Sequence, residues 1–228
     1  MNPIKKQGLR NVVITGDGST TLFFDQFKST YHSTYGAMAE SQLVYIENGL
    51  KWWLERNSTH CRVFEVGFGT GLNAFLASEL AVKLRREIRY TSIEKYPLLP
   101  EEYTPLQFGL NEEEKRRFEQ LNNAEWNKDV RINDFFTLNK MEADLVTFEP
   151  EGMDVIFYDA FGPENQPEMW SEQVVSAVVK HLHVGGIVVT FCVKGTFRRC
   201  LEKCGLYVIK RPGPPGKREI LQAFNRIL

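Results

Sequence analysis

The sequence predicts an α/β domain: a mostly parallel sheet of seven strands with an antiparallel edge, preceded by a small hairpin-and-helix extension. Three observations carry this. Short β-branched and aromatic runs (Arg62 to Glu65, Ile88 to Glu94, Val155 to Tyr158, Ile187 to Val193) alternate with stretches of helical spacing, as βαβ units require. The first run enters a turn with glycine at positions 67, 69 and 71 and then a helical pattern. A chain of 228 residues with 43% hydrophobic composition can bury one sizeable core.

The extension comes first. Asn11 to Thr15 reads as a strand, G-D-G-S-T-T as a hairpin turn, and Leu22 to Phe24 as the returning strand. A segment rich in hydroxyls and aromatics follows, with Tyr31, His32 and Tyr35 close together; His32 reads as structural rather than catalytic. Leu43, Val44, Ile46 and Leu50, with Trp52 and Trp53, then form an amphipathic helical pattern. Residues 1–60 are expected to cap a Rossmann-like core formed by residues 61–228.

The glycine turn is the centre of the site. Leu72, Phe75, Leu76, Leu80 and Leu84 recur at helical spacing after it. Such a turn brings backbone and helix N-terminus close to a ligand. The spacing is G-x-G-x-G, and Leu72 stands where a dinucleotide fingerprint has its third glycine. Glu65, two residues before Gly67, disfavours a phosphate and suits a ligand carrying an amine. S-adenosylmethionine, which has an amino-acid end and no phosphate, fits that pattern. No G-K-[ST] follows, which disfavours a P-loop.

Ile88 to Glu94 reads as the second core strand, and Glu94 stands where an acid takes ribose hydroxyls. Pro97, Pro100 and Pro105 break the chain, and Asn111 caps the charged helix E-E-E-K-R-R-F-E-Q-L. Val130 to Ile132 reads as the third strand. Asp134 after it is placed to accept from an adenine amine, with Phe135 as an apolar wall. Asp159 ends the strand Val155 to Tyr158, where ligands bind in open α/β sheets, and faces the reacting centre. Ser171 caps a helix through Val174, Val175, Val178 and Leu182, which Gly185 and Gly186 end. Phe197 to Cys204 is a short helix closed by Gly205. Leu206 to Ile209 and Glu219 to Phe224 form an antiparallel edge pair. The basic loop R-P-G-P-P-G-K-R lies between them on the side of the site.

Other classes are disfavoured. No apolar run approaches the roughly 20 residues of a membrane helix. The opening M-N-P-I-K-K-Q-G-L-R lacks a signal-peptide core, so a cytoplasmic protein is expected. Cys200 and Cys204 share a helical face without a second pair or a nearby His, so no metal centre is expected. Net charge is −1, yet the last stretch is basic. Lys194, Arg198, Arg199, Lys217 and Arg218 are the expected contacts to the phosphates of a polyanion.

V-F-E-V-G-F-G-T-G-L-N, S-I-E-K-Y-P-L, Y-D-A-F-G-P-E-N-Q-P-E-M-W and G-K-R-E-I-L together resemble the methyltransferase of the MnmC group, which includes stand-alone forms called MnmD. The resemblance spans nearly the whole chain. It implies a class I S-adenosylmethionine-dependent methyltransferase fold. It also implies methylation of the aminomethyl group at carbon 5 of the wobble (2-thio)uridine in the tRNA anticodon loop, giving the 5-methylaminomethyl form. By resemblance Glu65, Gly67, Gly69, Gly71, Glu94 and Asp134 bind cofactor, with Asn73 in the same motif, and Asp159 faces the substrate amine. Phe161, Tyr31 and Trp170 are candidates to stack on the base. Two-domain members add a FAD-dependent oxidase. These 228 residues hold no second glycine fingerprint, so no FAD is expected and separate enzymes of the pathway would supply the aminomethyl group. Two other readings stay open: a methyl- or aminopropyl-transferase acting on a small amine, and a non-catalytic RNA-binding module.

Overall fold

The computed structural model describes residues 10–58, 60–145 and 152–226. Apart from Arg10, the opening segment read above for a signal peptide lies outside the described residues.

A three-stranded antiparallel sheet comes first, in the order β1 (Arg10–Ile14), β2 (Thr20–Phe24) and β3 (Ser29–Thr30). Asp17 shapes the first turn, where its Oδ1 accepts from the Ser19 amide at 3.1 Å and the Thr15 hydroxyl at 2.7 Å. An unbroken helix follows: α1 (Ala37–Ser41), a π-helical stretch Gln42–Lys51, and α2 (Trp52–Leu54). The wider turn shows in its side chains, because Gln42 Nε2 reaches Glu47 Oε1, five residues on, at 2.9 Å. Gly49 lets this helix lie directly on the main sheet. A Cβ there would sit 2.8 Å from Val189 and 3.1 Å from Phe157.

Among the described residues the main sheet has eight strands. In chain order the elements are β4 (Cys61–Val66), α3 (Leu72–Leu84), β5 (Ile88–Glu94), α4 (Pro100–Tyr103), α5 (Glu112–Asn122), β6 (Asp129–Asn133), β7 (Phe136–Glu142) and β8 (Met153–Tyr158). A 3₁₀ turn (Pro167–Trp170), α6 (Glu172–Val179), β9 (Leu182–Thr190), α7 (Gly195–Lys203), β10 (Tyr207–Pro212) and β11 (Glu219–Phe224) complete them. The spatial order is β10-β11-β9-β8-β4-β5-β7-β6. The five strands β9-β8-β4-β5-β7 are parallel, and β11, β10 and β6 join by antiparallel pairing. The α/β architecture with a mostly parallel sheet is as the sequence predicts, with one strand more.

The strand the sequence does not announce is β7. Val130 to Ile132 is an antiparallel edge strand, and the third parallel strand is Phe136–Glu142. Its buried positions are Phe136, Leu138 and Lys140, so a lysine in the core register breaks the apolar alternation. The other boundary to move is that of β9. Helix α6 stops at Val179, and β9 begins at Leu182 and carries Gly185 and Gly186 within it. Gly186 passes so close to the neighbouring strand that a Cβ would lie 2.8 Å from the Asp154 carbonyl.

Alternate residues along β4 and β8 enter opposite cores, as a sheet covered on both faces requires. Val63, Val155 and Phe157 pack with the long N-terminal helix and α3. Phe64, Ile156 and Tyr158 pack with α6 and α7. The caps form where the sequence places them. The Asn111 side chain accepts from the Glu113 and Glu114 amides at 3.0 Å, and Ser171 accepts from the Val174 amide.

Candidate active site

Strands β4 and β8 are parallel neighbours, so their carboxyl ends open on one cleft. The glycine loop leaves β4, and Asp159 leaves β8. Gly67, Gly69 and Gly71 all take left-handed conformations, with φ of 91°, 53° and 80°. Space is limiting as well at Gly69, where a Cβ would stand 3.0 Å from the Tyr31 ring. The Gly69 amide donates to Glu94 Oε2 at 3.1 Å, and the Tyr96 amide to Oε1 at 2.7 Å. Glu94 is therefore fixed at the cleft wall with lone pairs left for a diol.

Two acids lie deeper, Glu65 buried and Asp159 half-buried. Asp159 Oδ1 accepts from the Tyr45 hydroxyl at 2.5 Å, and Oδ2 accepts from Asn73 Nδ2 at 2.8 Å. The same Asn73 Nδ2 donates to Glu65 Oε1 at 3.0 Å. Burial pushes the Glu65 carboxyl up to about 8 and the Asp159 carboxyl up to about 7, against the hydrogen bonds that favour their ionised forms. Glu65 is 1% exposed and lies behind Asn73, while Asn73 and Asp159 line the cleft.

The N-terminal sheet and the C-terminal loop build the remaining walls. His32 is buried between Thr21 of β2 (Nδ1 to Oγ1, 3.2 Å) and Thr70 of the glycine loop (Nε2 to Oγ1, 3.3 Å). Burial pulls it down to about 4, so it is neutral and ties the extension to the loop. Phe27, Tyr31 and Phe161 form an aromatic cluster with ring centroids 4.8 and 4.9 Å from Phe161. Trp170 is buried, and its Nε1 donates to the Phe161 carbonyl at 2.7 Å. It clamps the loop after Asp159 and offers no face for stacking. Lys217 reaches into the cleft, pairs with buried Glu40, and lies 4.0 Å over the Phe191 ring.

Several sequence expectations need correction. Asp134 and Phe135 form the β6–β7 turn at the amino ends of the parallel strands, where the Ile88 amide donates to the Phe135 carbonyl at 2.8 Å. That is the end opposite the cleft. Asp134 is exposed and pairs with Arg131 at 2.9 Å. The acid at the carboxyl end of the third parallel strand is Asp144, which lines the cleft and accepts from Lys95 at 2.7 Å. Lys217 faces inward, whereas Lys194, Arg198, Arg199 and Arg218 are exposed. Lys194 pairs with Glu164, and Arg198 with Glu202 at 2.8 Å. Tyr45, Glu40 and Asp144 escaped the sequence reading. Tyr45 sits inside an apolar helical pattern, and only its reach to Asp159 marks it.

Beneath the loop lies Lys140, 1% exposed. Its Nζ donates to the Asn122 carbonyl at 2.5 Å and faces the rings of Phe68, at 5.2 Å, and Trp126, at 4.6 Å. Phe68 belongs to the glycine loop, so a buried cation anchors that loop from below. Burial pulls this lysine down to about 8.

The cleft fits S-adenosylmethionine. Asn73 Oδ1, in the cleft lining, is a buried acceptor without a partner among the described residues and suits an ammonium, with the Glu65 carboxyl behind it. Glu94 suits a ribose diol and Asp144 an adenine amine. Bound there, the cofactor offers a methyl group on a sulfonium.

Comparison with known proteins agrees. The chain is 30% identical over 214 residues to the tRNA 5-methylaminomethyl-2-thiouridine biosynthesis bifunctional protein MnmC of Nitrosospira multiformis, covering 88% of this chain and 35% of that protein. It is 29% identical over 237 residues to the protein of the same name from Actinobacillus pleuropneumoniae, covering 90% of this chain and 34% of the relative. The chain thus spans about a third of the length of these curated relatives. The crystal structure of MnmC2 from Aquifex aeolicus superposes with a TM-score of 0.80 at 24% identity, covering 100% of this chain and 73% of that one, and so shares the fold. Residues 109–226 match a family model described as S-adenosyl-L-methionine-dependent methyltransferase, and the chain belongs to that family.

Proposed function

We propose that this methyltransferase transfers a methyl group to the aminomethyl nitrogen at carbon 5 of the wobble (2-thio)uridine in tRNA. The observation that carries the reading is Asp159: a carboxyl at the carboxyl end of β8, lining the cleft and held on both oxygens by Tyr45 and Asn73. The likeness to relatives named for 5-methylaminomethyl-2-thiouridine biosynthesis supports the choice of acceptor.

Asp159 orients the amine through a hydrogen bond and accepts its proton as the new N–C bond forms and the S–C bond breaks. Tyr45 and Asn73 hold the carboxylate still. Phe161 and Tyr31 supply the apolar wall against which a flipped base can rest. Lys194, Arg198, Arg199 and Arg218 are the proposed phosphate contacts, on the exposed face of α7 and the loop before β11.

The test is transfer from methyl-labelled S-adenosylmethionine to tRNA carrying 5-aminomethyl-(2-thio)uridine, with nucleosides resolved by mass. Label on the 5-methylaminomethyl nucleoside is expected. Intact cofactor binding with unlabelled tRNA would overturn the reading and favour a small amine as acceptor.

A further inference from the structure

One amide serves two acids in this site. Asn73 Nδ2 lies 3.0 Å from Glu65 Oε1 and 2.8 Å from Asp159 Oδ2. Glu65 is buried, Asp159 is half-buried at the cleft wall, and neither makes an ion pair among the described residues. Facing them are Tyr45 from the π-helical stretch, Tyr90 and Ser92 from β5 and, farther toward the mouth, Glu40 and Lys217. Lys217 is the one cation in that set, and Glu40 already pairs with it. Two carboxylates held at one amide, one of them buried and neither with its own cation, disfavour the doubly ionised form. The pair titrates as a unit.

We propose that Glu65 and Asp159, joined through Asn73, share a proton before the cofactor binds, and that the α-ammonium of S-adenosylmethionine displaces it. The proton leaves to solvent, and the ammonium takes its place as the positive charge on the Glu65 side. Loading thereby leaves Asp159 ionised. If Asp159 is the base of the reaction proposed above, the cofactor itself arms it, and binding is ordered with the cofactor first.

Isothermal titration calorimetry in two buffers of different ionisation enthalpy counts the proton without any acceptor present. At about pH 7.5 the pair holds about one proton, and a free α-amine, with a pKa of about 8, takes up on the order of 0.2 proton of its own, which is subtracted. Release on the order of 0.5 to 1 proton per site is expected with S-adenosylmethionine. The same release is expected with S-adenosylhomocysteine, which keeps the amino-acid end and lacks the sulfonium. Glu65→Gln should abolish it. Asp159→Asn should cut it by about half or more while cofactor affinity holds within a few-fold.

Release near zero in the wild type would overturn the proposal. So would release with S-adenosylmethionine alone, which would assign the effect to the sulfonium, or undiminished release in Asp159→Asn, which would leave the proton on Glu65 alone. Persistent release in Glu65→Gln would also refute it. None of these outcomes bears on methyl transfer to tRNA, which is measured separately.

Discussion

The Tyr45 hydroxyl lies 2.5 Å from Asp159 Oδ1, joining a helix of the N-terminal segment to the end of the fourth parallel strand, 114 residues away. The bond favours the ionised carboxylate, against the burial that pushes Asp159 up to about 7. Hydrogen bonds to charged groups contribute about 1.5–3 kcal/mol, so Tyr45→Phe should lower kcat roughly tenfold or more. It should also move the acidic limb of the rate profile to higher pH. Cofactor affinity should stay within a few-fold. A pH–rate series beside a binding titration checks both parts, and an unmoved limb would remove Tyr45 from the mechanism.

Gly69→Ala tests the cofactor loop. The substituted residue would have to keep a φ of 53° and place its Cβ 3.0 Å from the Tyr31 ring. A left-handed non-glycine residue costs about 1–2 kcal/mol before any clash. Cofactor affinity should fall by about tenfold or more, and calorimetric titration reads the loss directly.

The exposed basic residues and Lys217 should part company. Replacing Lys194, Arg198, Arg199 and Arg218 together by alanine should flatten the salt dependence of tRNA binding and leave methyl transfer at saturating tRNA nearly intact. Lys217→Ala should instead lower kcat, because it leaves Glu40 buried without its partner in the cleft. Binding isotherms at several salt concentrations, paired with saturating-substrate rates, separate the two classes.

Lys140 gives a prediction in stability. Its folded-state pKa is depressed to about 8, so between that value and the ordinary lysine range the unfolded chain binds more protons than the native one. Native stability should therefore rise with pH across that window, and the gain should be lost as pH falls through about 8. Lys140→Met should remove that slope. Denaturant titrations at several alkaline pH values measure it.

Much of this was legible in the sequence because local rules carry it. The glycine loop, the acid Glu94 at the end of the second strand, Asp159 at the end of β8, and the caps at Asn111 and Ser171 each declare themselves within a few residues. What stayed hidden depends on pairing between distant segments. A short β-branched run at Val130 outscored F-T-L-N-K-M-E as the third strand because Lys140 occupies a core position. That one displacement put the expected adenine contact at Asp134, at the end of the sheet opposite the cleft. Tyr45 looked like one more buried aromatic in a helix. Lys217 looked like one more cation in a basic loop, and only the fold turns it inward to Glu40.

That ion pair closes a loop of 177 residues, and it sets an order on assembly. The cofactor half of the cleft is drawn from residues 61 to 159, through neighbouring parallel strands. The wall carrying Lys217 comes from a loop translated after those residues. A nascent chain can therefore complete its nucleoside pocket while the acceptor side still stands open. Joining the two is a late, high-contact-order step in folding.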